Sequence, residues 1–133
     1  MNVVFPNTVD VRLHSYQEGV VWEVLAPMYA IYDGNTPQQR IKRIPSGQFT
    51  DFASVPRLPI VYLAYADKFH IPALFHDLDY SIGGTEADRI RADDDFLIGM
   101  LATITEYQTE ADARAIYTAV KMFGDRFFKY SNP

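Results

Sequence analysis

The stretch Phe75-His76-Asp77-Leu78-Asp79-Tyr80 is the one segment of the chain whose residue choice packing alone does not explain. If the stretch is helical, His76 and Tyr80 are four residues apart and project from the same face, with Asp77 beside them. The flanking sequence is apolar, which predicts that this helix is partly buried. A buried imidazole, carboxylate or phenol without a partner costs kilocalories, so each of these side chains requires a partner or a ligand.

Sequence signals for the start and end of a helix lie on both sides of this stretch. A proline in the first turn and Gly83-Gly84 at the end predict a helix over Pro72–Ile82. After the glycines, Thr85-Glu86-Ala87-Asp88 has the pattern of a capping box, in which a threonine is followed three residues later by an acid. This pattern predicts a second, longer helix that ends near Glu106.

The second predicted helix carries an acid on its apolar face. Apolar residues recur there at three-and-four spacing, at Ile90, Leu97, Met100 or Leu101, and Ile104. Among the consecutive acids Asp93, Asp94 and Asp95, periodicity turns Asp93 inward. Two antiparallel helices joined at the glycines would therefore place Asp93 opposite His76.

The first fifty residues have the pattern of extended structure instead. Alternating or apolar runs predict four strands in an antiparallel meander, at Val9–Leu13, Val20–Leu25, Tyr29–Tyr32 and Arg40–Ile44. A shaped loop at Asp51–Arg57 and a packing helix or helical turn at Leu58–Ala66 follow. A third long helix is predicted over Glu110–Phe123, again after a capping pattern. We predict an α+β fold in one domain, residues 1–133, with a small antiparallel sheet in the N-terminal half followed by three helices. Strands dominate about residues 1–50 and helices about residues 57–130.

Composition excludes several classes of protein. The chain has 133 residues, 48% of them hydrophobic, and no cysteine, which predicts a folded soluble protein without disulfides or thiolate metal sites. No apolar run reaches the roughly 18 residues of a transmembrane helix, and no secretory signal is expected at the N-terminus. The formal net charge is −5, and the acidic excess lies after Thr50. With no basic run, the sequence disfavours nucleic-acid binding.

The predicted pair of His76 and Asp93 permits two interpretations. An aspartate that accepts from one imidazole nitrogen leaves the other free to take a proton, which is the arrangement that activates water. Asp77 and Asp51 could then supply hard oxygen ligands for a calcium ion, which would polarise a carbonyl. Alternatively, His76, Asp93 and Tyr80 form a buried hydrogen-bond network that only locks the helices together.

Four motifs carry a resemblance to a known group of proteins. They are Ile44-Pro45-x-Gly47-x-Phe49-Thr50-Asp51-Phe52-Ala53-Ser54-Val55-Pro56-Arg57, His76-Asp77-x-x-Tyr80, Ala92-Asp93-x-x-Phe96 and Ala119-Val120-x-x-Phe123-Gly124. From about Trp22 to the C-terminus the sequence resembles a family of small proteins of unknown function found in tailed bacteriophages and prophages. This resemblance implies a phage origin. We then expect synthesis in the host cytoplasm, and a place in the virion beside other virion proteins is one of the hypotheses that follow. The resemblance brings no established activity.

A second resemblance implies a chemistry. The His-Asp-x-x-Tyr helix, the later aspartate and the upstream loop are similar to the layout of phospholipase A(2) enzymes. That likeness makes His76 the base that activates water, Asp93 its orienting partner, Tyr80 a supporting donor, and Asp51 and Asp77 calcium ligands, with a lipid ester as substrate. The disulfides of the secreted enzymes and their glycine-rich calcium loop are absent here. The competing hypothesis is a non-catalytic virion component of the tail, neck or baseplate. A third hypothesis is an intracellular accessory protein that acts on a host partner.

Overall fold

The computed structural model describes residues 2–7, 10–16, 19–50, 69–105 and 109–131. Contacts group the chain into two compact units, Met1–Phe52 and Ala53–Pro133. The expectation of a single domain stays a prediction. The loop predicted at Asp51–Arg57 and the helix predicted at Leu58–Ala66 lie outside the described residues.

The first unit consists of antiparallel strands. Their bounds are β1 Val3–Val4, β2 Val11–Tyr16, β3 Gly19–Val24, β4 Met28–Tyr32, β5 Arg40–Ile44 and β6 Phe49–Thr50. They form two three-stranded sheets with the orders β1-β4-β5 and β2-β3-β6. A simple meander would pair β3 with β4, but a proline at position 27 interrupts the chain between them. Strand β3 pairs instead with β6, so the antiparallel prediction is confirmed and the strand order differs from a meander.

Alternation along the strands produces the core of this unit. In β4, Met28, Ala30 and Tyr32 are buried, as expected for a strand with one covered face. The short strands β1 and β6 were not predicted because two residues are too few to show a period. His14 lies in β2, where its Nε2 is 2.9 Å from Glu23 Oε1 on β3.

Three helices are described in the second unit. They are α1 His70–Ile82, α2 Glu86–Ala102 and α3 Glu110–Phe123, followed by a 3-10 turn at Gly124–Arg126. Both predicted capping boxes are present, at the starts of α2 and α3. The predicted α+β class is therefore confirmed. None of the described helices is long and apolar enough to cross a membrane.

Helix α2 differs from its prediction in length and in its buried face. It ends at Ala102 rather than near Glu106, because Thr103, Ile104 and Thr105 are β-branched and disfavour helix. Its buried apolar residues are Ala92, Phe96 and Met100. Ile90 is 46% exposed and Ile104 37% exposed, so their assignment to the core stripe is wrong. Asp93 is buried as predicted, and Asp95, which was not expected to be, is buried too.

The three helices share one apolar core. Its buried members are Phe69, Ala73, Phe96, Met100, Ala113, Ile116, Ala119 and Val120. Burying large apolar side chains stabilises a fold by about 1.5–3 kcal/mol each. This core holds α1 and α2 together at the level of His76.

Residues 127–131 form a C-terminal segment that runs along the link between α1 and α2. Gly84 N donates to Lys129 O at 2.9 Å, Ser131 N donates to Gly84 O at 2.8 Å and Lys129 N donates to Tyr80 O at 3.2 Å. A side chain at Gly83 would overlap the backbone carbonyl of Lys129. The glycine pair therefore ends α1 and also admits the C-terminal segment.

We expect Gly83→Ala to lower the free energy of unfolding by about 3 kcal/mol, because it adds a backbone clash to the strain of a positive φ. The matched control is Gly47→Ala, where φ is +91° but nothing lies within 4 Å of the added atom. That control should cost only about 1 kcal/mol. Urea titration measures both, and equal losses in the two variants would contradict this role of Gly83.

Candidate functional site

A histidine and an aspartate meet between α1 and α2. His76 Nε2 lies 2.8 Å from Asp93 Oδ1, and both residues are 1% exposed. The imidazole also stacks on the ring of Phe96, with centroids 4.5 Å apart. The structure therefore brings together the two residues predicted to face each other.

Asp93 accepts hydrogen bonds at both of its oxygens. Tyr80 donates its hydroxyl to Oδ1 at 2.7 Å, the same oxygen that contacts His76. Arg89 donates Nη1 to Oδ2 at 3.2 Å. Tyr80 was predicted to belong to this cluster and does. Arg89 was missed, although its place four residues before Asp93 on one helix is a spacing at which opposite charges meet.

The two nitrogens of His76 differ in their surroundings. An ionised carboxylate can only accept hydrogen bonds. Nε2 of His76 is therefore the protonated nitrogen that donates to Asp93, and in a neutral ring the lone pair lies on Nδ1. Nδ1 is buried and has no hydrogen-bond partner among the residues that the structure describes. A buried polar atom without a partner is costly, and such atoms occur where a ligand or water is meant to bind.

Tyr80 is held on its other sides by the C-terminal part of the chain. Its ring meets that of Phe128 edge to face, with centroids 5.2 Å apart. A side chain at Gly124 would overlap the Tyr80 hydroxyl, so glycine is required for this approach. Phe128 was not singled out from the sequence, because a contact so distant along the chain leaves no periodic signal.

A protein-family match includes the described residues that hydrogen-bond to Asp93. Residues 22–120 match the model of a family described as a protein of unknown function, DUF1353. The chain belongs to the DUF1353 family. No curated protein and no solved structure matches the chain. The family region includes His76, Tyr80, Arg89 and Asp93 and ends before Gly124 and the C-terminal segment.

The predicted calcium ligands of this DUF1353 chain are not both described. Asp77 is half-buried on α1, next to His76, whereas Asp51 lies outside the described residues. Within the described ranges, no group of three or more histidine, aspartate and glutamate side chains is arranged to hold a metal ion. Asp77 alone does not make a calcium site, since calcium takes six to eight oxygen ligands. The calcium site therefore stays a prediction.

We expect this DUF1353 protein to lose stability above about pH 10 through Tyr80. Burial, and then the hydrogen bond to Asp93, raise the pKa of Tyr80 well above its ordinary value. A pKa raised on folding gives stability that is complete below the unfolded value of about 10 and is lost as pH rises above it. Thermal melts from pH 9 to pH 11.5 should therefore fall more steeply for the wild type than for Tyr80→Phe. Tyr29→Phe, at an exposed position of β4, is the control. Parallel slopes for the wild type and Tyr80→Phe would contradict this assignment.

Proposed function

We propose that this protein is a phage-encoded hydrolase in which His76 activates water to cleave a lipid ester. The observation that supports the proposal is the asymmetry of the imidazole. Nε2 is fixed by Asp93 at 2.8 Å, and Nδ1 is buried without a partner among the described residues. Because Asp93 fixes the ring of His76, the lone pair of Nδ1 lies at a defined position, as a general base requires.

The proposed reaction needs only water and the ester. Nδ1 of His76 takes a proton from water as its oxygen attacks the carbonyl carbon, which gives a tetrahedral intermediate. The C–O bond to the leaving alcohol then breaks, and the imidazolium returns the proton to the alkoxide oxygen. The products are a fatty acid and the deacylated lipid. Asp93 stabilises the imidazolium between these steps and holds the ring in one orientation.

Tyr80 has a supporting role in this proposal. Its hydroxyl donates to the same Asp93 oxygen that contacts His76. A carboxylate oxygen accepts several hydrogen bonds, so Tyr80 restricts the carboxylate without displacing the imidazole. The phenol itself stays protonated, since burial raises its pKa.

The similarity to phospholipases extends the proposal to calcium, with Asp77 and Asp51 as ligands. A bound calcium ion would polarise the ester carbonyl. The steps given above for His76 do not depend on that ion. Asp77, half-buried and next to His76 on α1, is the described member of this pair.

We expect millimolar calcium to raise the melting temperature by several degrees, because an ion that binds only the folded state stabilises it by mass action. Asp77→Asn should abolish the shift, and Asp79→Asn, two residues along the same helix, should retain it. Differential scanning fluorimetry with calcium and with magnesium measures the effect. No shift with either cation would remove calcium from the proposal.

The assay that tests the hydrolase proposal is fatty-acid release from phospholipid. Purified protein is incubated with mixed phosphatidylcholine and phosphatidylglycerol micelles, with calcium or with chelator, and the free fatty acid and lysolipid are quantified. The proposal predicts equal molar amounts of the two products in the wild type. Release that does not exceed the protein-free blank, from protein shown to be folded, would contradict it.

A second candidate function is a non-catalytic component of the virion. The observation in its favour is closure of the site, since the side chains of His76 and Asp93 are 0% and 2% exposed. The same network would then only specify the packing of α1 on α2. In that case the protein should co-purify with phage particles at a fixed copy number. The wild type should show no hydrolysis, and His76→Ala should reduce the stability of the fold.

A further inference from the structure

We infer that Arg89 is a positioning residue for Asp93, and that Glu86 and Tyr130 hold Arg89 in its place. This inference rests on the proposed function, because it assigns the residues that fix the orienting carboxylate of the same site. It adds a second group of side chains to the pair of His76 and Asp93.

The contacts form one continuous chain along α2. Arg89 donates Nη1 to Asp93 Oδ2 at 3.2 Å and Nε to Glu86 Oε2 at 3.0 Å, and its Nη2 bonds Glu86 Oε1. Tyr130, from the C-terminal segment, donates its hydroxyl to Glu86 Oε2 at 2.7 Å. Residues 86, 89 and 93 are three and four positions apart, so they share one face of the helix.

This arrangement divides the two oxygens of Asp93 between different partners. Oδ1 receives His76 and Tyr80, and Oδ2 receives Arg89. Without Arg89, the carboxylate could rotate about its Cβ–Cγ bond, and Oδ1 would move away from His76 Nε2. The guanidinium is planar and its donors keep fixed angles, so two bonds to Glu86 also fix the direction of Nη1.

The positive charge of Arg89 also stabilises the buried carboxylate of Asp93. Asp93 is a buried carboxylate, and a buried charge is tolerated when it is paired and hydrogen-bonded. The Arg89 side chain is only 12% exposed, so its charge lies close to Asp93 with little water between. The Glu86 side chain is more exposed and accepts from the donors of Arg89 that do not bind Asp93. The hydrogen bonds from Arg89, and then from Tyr130, lower the pKa of Glu86 to about 2.

Another ion pair on the same unit shows what an ordinary surface pair looks like. On α3, Arg114 donates to Glu110 at 2.8 Å, with the two side chains 57% and 63% exposed. Both pairs are within one helix, but only Arg89 also reaches a buried carboxylate. Arg114 therefore supplies a matched control for the removal of an arginine.

The experiment compares three arginine variants by kinetics and by NMR of the histidine rings. In Arg89→Met we expect kcat for phospholipid hydrolysis to fall by about a hundredfold with KM within about twofold, because a misplaced base slows chemistry without weakening substrate binding. Arg89→Lys should recover part of the loss, since one ammonium group supplies the charge but not the fork. Arg114→Met should match the wild type.

A readout that needs no turnover accompanies the kinetics. In protein labelled with nitrogen-15 at histidine, the wild type should show a sharp, slowly exchanging proton on His76 Nε2. Arg89→Met should broaden or abolish that signal while the backbone spectrum stays that of a folded protein. Glu86→Gln, at an exposed position of α2, should change the same signal less and in the same direction.

These results separate the inference from the proposed function. Wild-type protein without hydrolysis would refute the hydrolase proposal, and the Nε2 signal would still decide the role of Arg89. An unchanged Nε2 proton in both Arg89→Met and Glu86→Gln would overturn the inference. If Arg89→Met does not fold, an effect of Glu86→Gln on this proton supports the inference and the lack of one overturns it.

Discussion

His76→Gln should lower the rate of phospholipid hydrolysis by about 10³-fold, which is within the range that general bases contribute. Glutamine can still donate an amide hydrogen to Asp93, so the buried carboxylate keeps a partner. It has no basic nitrogen at the position of Nδ1, so no group there can take a proton from water. The rate is measured as fatty acid released per mole of folded protein.

The matched control is His70→Gln, at the exposed first residue of α1. It makes the same chemical change outside the buried cluster, and we expect a rate within about twofold of the wild type, since surface substitutions are usually close to neutral. His76→Gln protein that hydrolyses at the wild-type rate would show that the imidazole is not the base. The network interpretation would then be favoured.

Asp93→Ala should lower the free energy of unfolding by about 4 kcal/mol, because it removes one partner from a buried charge pair. The guanidinium of Arg89 would lose its buried counter-charge. The Nε2 hydrogen of His76 and the hydroxyl of Tyr80 would lose their acceptor at the same time. Domains of this size are stabilised by only about 5–15 kcal/mol, so the change is a large fraction of the total.

Asp94→Ala, the next position on α2, is the control for that loss. Asp94 is exposed and accepts the hydroxyl of Tyr117 at 2.6 Å, so its removal should cost about 1 kcal/mol. Urea unfolding followed by circular dichroism measures both variants. Equal costs at the two positions would mean that the buried cluster does not stabilise the packing of α1 and α2.

The parts of the site that follow a helical period could be predicted from the sequence. The spacing of His76 and Tyr80, and the inward position of Asp93, follow from residues three and four apart on a helix. The capping boxes likewise marked the starts of α2 and α3, at Thr85 and Thr109. Local patterns of this kind depend only on helix geometry. The structure confirms these, although Ile90 and Ile104 of the predicted apolar stripe are exposed.

Other parts could not be predicted because tertiary contacts decide them. Asp95 is buried as well as Asp93, although periodicity turns only one of the three acids inward. Tyr130 reaches Glu86 across 44 positions of the chain, and no local pattern announces such a contact. Arg89 lies between these cases, since its spacing to Glu86 and Asp93 was visible and its partly buried position was not.

The protonation state of the His76 ring in the wild-type protein tests its proposed role as the base most directly. The measurement is the nitrogen-15 spectrum of histidine-labelled protein near neutral pH, with His76→Gln used to assign the resonances. We expect a neutral ring with its proton on Nε2, bound to Asp93, and no proton on Nδ1. A proton on Nδ1 would leave no base at the site, and His76 could not then activate water.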